Sequence, residues 1–481
     1  MKMNTQIQIL EKELNHRRRT FGEHFTSTNI FYKYIFPFIK NNLYKYIWVD
    51  LYAGEGNLIL PILDLIPKNK RCEFFMQRIF LFDIQENTVN KAIEKAIFYG
   101  IPRSIANKNI IQQDTLKNFP KSLLNSEYPV FHITNPPYLY IGYIVKHGGR
   151  NLSYFQGENE GYQDLYQVAL MNDVKNYLNK MIYIIPSNFL FSDSGSNKIR
   201  NDFFKFYNVK KAFLFEDKIF EHTGTNVGIF FFEKKKVFDN NRITFSGVKI
   251  KNGDKKQKKY ILRPENNYQI ESKFEEFIKN YKSDKPLEIK FYITNNDIAQ
   301  NGGREIVKVT NANNYNGKIY EEEEIRVSNR FKKEILSNNL FVRTVDTGSS
   351  EGRAGLYSIK DVFGTDGIFA ATSFRTHPIQ IFFTPSLKYN EQKLLLEYFN
   401  IFLEYFRKID DSEFLTTFKY SEAEYTRKYL GLTKVKQLTQ TFPILELTEN
   451  QKKEFAQIIK SKNAENLIEF VKQNHKDLSL F

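Results

Sequence analysis

The chain has 481 residues, of which 41% are hydrophobic and 26% charged, so it reads as globular rather than disordered and has room for two or three domains. It contains no apolar run of the roughly 18 residues a membrane span needs, and its N-terminal MKMNTQIQILEKELNHRRR lacks a signal-peptide core; a cytoplasmic protein without a membrane partner is expected. A net charge of +15 permits a polyanionic partner, and the single cysteine, Cys72, excludes an internal disulfide and a cysteine zinc site.

Residues 5–19 have the pattern of a short amphipathic helix ending in Arg17-Arg18-Arg19. FGEHFTSTNIFYKYIFPFI follows, where Ser27, Thr28 and Asn29 are candidate caps for an aromatic-rich helix. Tyr46 to Leu51 reads as a buried strand, Gly54-Glu55-Gly56 as a tight turn, and Asn57 as a cap of the next helix. Strand, glycine turn and helix together open a Rossmann-like sheet. The dinucleotide fingerprint wants a third glycine where Ile59 stands, which disfavours a nicotinamide cofactor.

RIFLFDI (78–84) is the second expected strand and ends at Asp83; NIIQQDTL (109–116) is the third and ends at Asp114. Val130 to Thr134 forms the fourth and runs into Asn135-Pro136-Pro137-Tyr138. Two prolines forbid helix there and remove two backbone donors, so nearby carbonyls are left to accept bonds. The Asn135 side-chain oxygen and the Pro136 carbonyl can each accept one N–H of a planar amine, and Tyr138 offers a ring to stack on it. Alone, such a turn serves equally well as a rigid strand cap. The context adds Asp50, Asp83, Asp114 and Asn135, each expected at the carboxyl end of its strand, where open α/β sheets bind ligands.

The stretch 139–163, with Gly148-Gly149-Arg150 and Tyr154-Phe155, is rich in glycine and aromatics and is expected as a long loop of the kind that is usually functional or disordered. A helix over 164–178 and strands over 181–191, 210–217 and 226–236 bring the expected strand count to seven. Beyond 245 the texture changes. Residues 249–263 are densely basic, a linker or a backbone-contacting surface; EEEE at 321–324 is a solvated face; 372–386 is strand-like and 391–409 strongly helical.

In order and content these motifs resemble the N6-adenine DNA methyltransferases of bacterial restriction–modification systems, in the arrangement with the cofactor region first and a target-recognition domain last. FGEHFT resembles the N-terminal cofactor motif, with Ser27 in place of the usual proline; DLYAGEG resembles the glycine-rich motif, with Tyr52 at a variable position; NPPY matches the catalytic motif in full. The resemblance implies an α/β fold: a seven-stranded Rossmann-like S-adenosylmethionine-dependent methyltransferase sheet over 1–245, with a mixed α+β target-recognition domain over 246–481. It implies that Phe25 and Thr26 contact the methionine part of S-adenosylmethionine, and that Asp50, Ala53, Gly54 and Gly56 line its pocket. Asp83, with Ile84 beside it, would receive the ribose hydroxyls and Asp114 the adenine amine. Asn135, Pro136, Pro137 and Tyr138 would hold the target base, with Phe220 as its second wall. The implied partner is double-stranded DNA with a flipped adenine, with a cognate restriction endonuclease as functional partner; no metal is required. RNA-adenine or protein-glutamine methylation and a fused restriction enzyme–methylase are the alternatives.

Overall fold

The computed structural model describes residues 26–478 except 147, 150, 193, 218–225, 252, 271–272, 347–351, 375, 411–414 and 418–426. Phe25, Arg150 and Phe220, and the helix expected over 5–19, lie outside the described residues. The chain divides into two compact units, Met1–Ile270 with Lys419–Thr426, and Glu271–Phe418 with Arg427–Phe481. Among the described residues no helix is long and apolar enough to cross a membrane.

The first unit is built on one nine-stranded sheet, in the order β3-β2-β1-β4-β5-β7-β6-β8-β9. The strands are β1 (Ile47–Asp50), β2 (Ile79–Asp83), β3 (Ile110–Gln112), β4 (Val130–Thr134), β5 (Lys180–Pro186), β6 (Tyr207–Phe215), β7 (Val227–Lys234), β8 (Ile243–Lys251) and β9 (Asp254–Leu262). The pairs from β3 through β5 are parallel, whereas β7 runs antiparallel to both β5 and β6. Parallel strands are covered on both faces, which is why their sequences are nearly all apolar. Alternation then sorts side chains between two cores: Ile47, Val49, Met181 and Tyr183 fall into one, and Trp48, Ile133, Ile182 and Ile184 into the other. Chain order reverses between β1 and β4, the switch point at which such sheets open a ligand crevice.

The seven expected strands are present, and two more extend the sheet. Strand β8 pairs parallel with β6, and β9 returns antiparallel beside it over nine residue pairs. The basic stretch 249–263 is therefore a sheet edge rather than a linker, and the expected domain boundary at 245 falls inside β8. Tyr260 and Leu262 are buried at one end of β9, while Lys255, Lys256 and Lys259 are exposed toward the other. Lysines on an edge strand also discourage pairing with another chain.

The stretch 139–163 also departs from a plain loop. It holds a helix, Ile141–Lys146, and two single turns, Leu152–Phe155 and Gly157–Asn159. Ile144, Phe155 and Tyr162 are buried in the core beside helix Leu165–Lys175. Of its aromatics, Phe155 and Tyr162 are buried inside the unit, while Tyr140 stays exposed.

The second unit is mixed α+β. A four-stranded sheet runs Glu288–Phe291, Ile379–Thr384, Leu340–Arg343, Gly355–Ser358, and a three-stranded one runs Tyr320–Val327, Glu305–Tyr315, Gly367–Phe369. The long helix Tyr389–Ile409 buries Leu395, Tyr398, Phe399, Phe402, Leu403 and Phe406, an i, i+3, i+4, i+7 stripe that continues to i+8 and i+11. Glu321 to Glu324 lie on strand Tyr320–Val327, all exposed.

Candidate active site

The carboxyl edge of β1, β2 and β4 carries the polar residues picked from the sequence. Asp50 and Asp83 end β1 and β2, Asn135 follows β4 directly, and Asp114 lies two residues past the end of β3. Between them opens a cavity of about 180 Å³, walled by Asp83, Ile84, Thr88, Asp114, Asn135 and Pro137 among others. A smaller one of about 40 Å³ lies against Thr26, Asp50, Ala53 and Asn57. Tyr52, Gly54 and Asn135 border both.

The glycine turn takes its shape from two left-handed residues, Gly54 at φ +51° and Gly56 at φ +78°. At Gly56 a Cβ would also meet Leu60 Cδ1 at 2.7 Å, so a side chain there is strained by the backbone angle and needs Leu60 to shift. The Ala53 amide donates to the Phe82 carbonyl at 2.8 Å and the Gly54 amide to Asp83 Oδ2 at 2.8 Å, which ties the turn to β2. Asp83 Oδ1 accepts from the Gln85 amide and from Thr88 Oγ1, each at 2.9 Å. Asn57 does not cap a helix. Its amide donates to the Thr26 carbonyl at 3.0 Å and its oxygen accepts from Lys95 Nζ at 2.8 Å, so it joins the N-terminal segment to the turn.

Asn135 is held from both sides. Its Nδ2 donates to Thr26 Oγ1 at 3.0 Å, which turns Oδ1 the opposite way, and there Oδ1 accepts from the Tyr138 hydroxyl. The same hydroxyl reaches the Ile184 carbonyl at 2.5 Å. Burial, with Asp164 and Tyr166 nearby, pushes the Tyr138 phenol well above its ordinary value, so it remains a neutral donor. Pro136 is buried.

A buried polar chain under the site was not anticipated from the sequence. Thr134 Oγ1 donates to Asp50 Oδ1 at 2.6 Å, and the Tyr52 amide donates to the same oxygen at 3.0 Å. His132, fully buried on β4, accepts the Leu51 amide at Nε2 (3.1 Å), so its proton sits on Nδ1 and is donated to Asp173 Oδ2 at 2.6 Å. Tyr183 donates to that oxygen too, at 2.6 Å. These bonds fix the start of the glycine turn to β4, β5 and helix Leu165–Lys175. The available signal was one histidine inside an otherwise apolar strand, VFHIT. Burial pushes the Asp50 carboxyl up to about 7, although the hydrogen bonds from Thr134 and the Tyr52 amide pull it back.

A doubly wound sheet with a glycine turn after β1, an acid ending β2 and a cleft at the switch point defines a Rossmann-like fold of the methyltransferase kind. The family model of the N-6 DNA methylases matches residues 8–324, and the chain belongs to that family, whose reaction calls for a methyl donor. No curated protein matches the chain. The M protein of the type I restriction enzyme EcoKI is similar at 14% identity, covering 48% of this chain and 49% of its own, with a TM-score of 0.34. A modification subunit of a putative type I restriction enzyme from Vibrio vulnificus YJ016 has 15% identity over 73% of this chain and 63% of its own, with a TM-score of 0.36. The type IIG restriction endonuclease BpuSI has 12% identity over 93% of this chain and 62% of its own, with a TM-score of 0.39. The chain thus spans about half to under two thirds of the length of these solved relatives.

Proposed function

We propose that the protein is an adenine-specific DNA methyltransferase that moves the methyl group of S-adenosylmethionine to the N6 amine of an adenine extruded from double-stranded DNA, within a restriction–modification system. The observation that carries this reading is the orientation of Asn135, whose oxygen is held as an acceptor beside Tyr138 at the meeting point of two cavities. The residues of the cleft fit the cofactor. Gly54 borders both cavities, where a Cβ would project into open space, and acids stand at the ends of β1 and β2 and just past β3, where a sulfonium amino acid, a ribose and a purine amine need acceptors.

Bound there, the cofactor supplies an electrophilic methyl. Thr26, with Phe25 beside it in sequence, and Asp50 would hold its amino-acid end; Asp83 and Ile84 the ribose; Asp114 the purine amine. The chemistry left to the chain is to make a poor nucleophile attack. An exocyclic adenine amine delocalises its lone pair into the ring. Asn135 Oδ1 and the Pro136 carbonyl accept its two N–H groups, which draws the nitrogen out of conjugation and frees the lone pair for in-line displacement. Pro137 keeps the turn rigid, and Tyr138 and Phe220 supply the faces between which the base stacks. Extrusion from the duplex costs a few kcal/mol, which that stacking offsets. The second unit, 271–481, selects the DNA sequence, and the lysines of β9 meet phosphates.

Incubation with tritium-labelled S-adenosylmethionine and unmethylated genomic DNA, followed by single-molecule sequencing, tests the proposal. N6-methyladenine in one sequence context is expected. Label entering RNA or protein instead of DNA would refute it, and cleavage of the DNA in the same incubation would point to a fused nuclease.

A further inference from the structure

The segment that follows the catalytic motif begins and ends at one point. Tyr140 bridges to Asp164, the Leu139 amide donates to Asp164 Oδ1 at 2.8 Å, and the Leu165 amide donates to the Leu139 carbonyl at 3.2 Å. Buried Ile144 and Phe155 anchor the excursion in the core. The turn Leu152–Phe155 then brings Tyr154 into the wall of the larger cavity, where its hydroxyl donates to Asp114 Oδ2 at 2.7 Å. The main chain at this point is held as well, because Asn159 Nδ2 donates to the Tyr154 carbonyl at 2.9 Å. Lys117 Nζ lies 5.1 Å from the Tyr154 ring centre and 3.8 Å from the same Asp114 oxygen.

One oxygen of Asp114 is thus committed to Tyr154 and Lys117. Among the described residues the other, Oδ1, receives only a long bond of 3.4 Å from the Lys117 amide. A carboxylate locked at one oxygen presents the second as an acceptor in a set direction, and it repels any group that offers it a carbonyl. We infer that Tyr154 is a positioning residue that sets specificity at the purine end of the methyl-donor site: by holding Asp114 it makes the site demand an N–H donor at purine position 6. This rests on the methyltransferase reading above and adds a role for a residue outside the motifs that carry it.

The test is a binding measurement. Dissociation constants of S-adenosylhomocysteine and of its 6-oxo analogue, S-inosylhomocysteine, are measured by calorimetry for the full chain and for Tyr154→Phe, which keeps the ring and loses only the hydroxyl. The unchanged chain should prefer the amine by roughly 100-fold or more, as sites built around a hydrogen bond do. In Tyr154→Phe the preference should fall about tenfold, chiefly through weaker binding of the adenosyl compound, while the melting temperature stays close to that of the unchanged chain. A preference left intact, or an equal loss for both ligands, would show a merely structural tyrosine and overturn the inference while the function stands. If the unchanged chain bound neither compound, the proposed function would fall and this inference with it.

Discussion

Asp83→Asn is close to isosteric, yet it should damage both the turn and the cofactor site. Three donors converge on the carboxylate: the Gly54 amide on Oδ2, and the Gln85 amide and Thr88 hydroxyl on Oδ1. An asparagine has one acceptor oxygen and one NH2. Thr88 can retreat to the Gln85 carbonyl, which it already reaches at 2.8 Å, but the two backbone amides cannot both be served. One N–H must face an NH2 group. A hydrogen bond to a charged acceptor contributes about 1.5–3 kcal/mol, and the site is half-buried with water at hand, so a stability loss near the lower end, about 1.5 kcal/mol, is expected. One of two ribose acceptors is removed as well, which should weaken S-adenosylmethionine about tenfold. Asp83→Ala removes both oxygens and should weaken it by about 1.5–3 kcal/mol. Urea unfolding without ligand and calorimetry with S-adenosylmethionine measure the two effects separately. If Asp83→Asn kept its unfolding midpoint and its dissociation constant, the carboxylate would neither brace the turn nor receive the ribose.

Two further outcomes follow from the same geometry. The Asp50 carboxyl titrates at about 7 in the fold against an ordinary 3.8, so the folded state holds that proton longer than the unfolded chain does. Its contribution to stability is therefore full below about pH 4 and is lost as pH rises toward about 7. In Asp50→Asn that fall should vanish from a series of urea unfolding curves taken from pH 5 to 8; an identical pH dependence in both proteins would contradict the burial argument. Neutralising Lys255, Lys256, Lys258 and Lys259 on β9 should weaken DNA binding for all sequences alike and reduce the salt slope by about 0.9 for each phosphate that no longer meets a lysine. An altered sequence preference with an unchanged slope would mean that these lysines read bases.

The fold was legible where one signal governed. Short apolar runs ending in a polar residue marked the parallel strands β1 to β4, because a strand buried on both faces is mostly apolar until its edge. The polar residues of the edge were legible from residue types alone: Asp50, Asp83, Asp114 and Asn135 all border the two cavities there. Less legible were the features set by partners far away in the chain. His132 meets Asp173 across 41 residues, and nothing local shows that a histidine within VFHIT will be satisfied there. Strand β9 was hidden because an edge strand needs few apolar residues, here Tyr260 and Leu262, and its lysines resemble a linker. Within 139–163 the glycines pointed to a loop, and the burial of Phe155 and Tyr162 in the core was not legible among them. Tyr154 was visible among those aromatics, and only the closed excursion shows that it reaches Asp114.

The central claim is that Asn135 presents its oxygen to the target amine. The most direct test compares the unchanged chain with Asn135→Ala on unmethylated double-stranded DNA and labelled S-adenosylmethionine, digests the DNA to nucleosides, and measures binding of the cofactor in parallel. Label is expected only in N6-methyldeoxyadenosine for the unchanged chain and at least roughly 100-fold less of it for Asn135→Ala, with cofactor affinity nearly equal in the two. Substantial N6 methylation by Asn135→Ala, or label in another nucleoside from the unchanged chain, would contradict the claim.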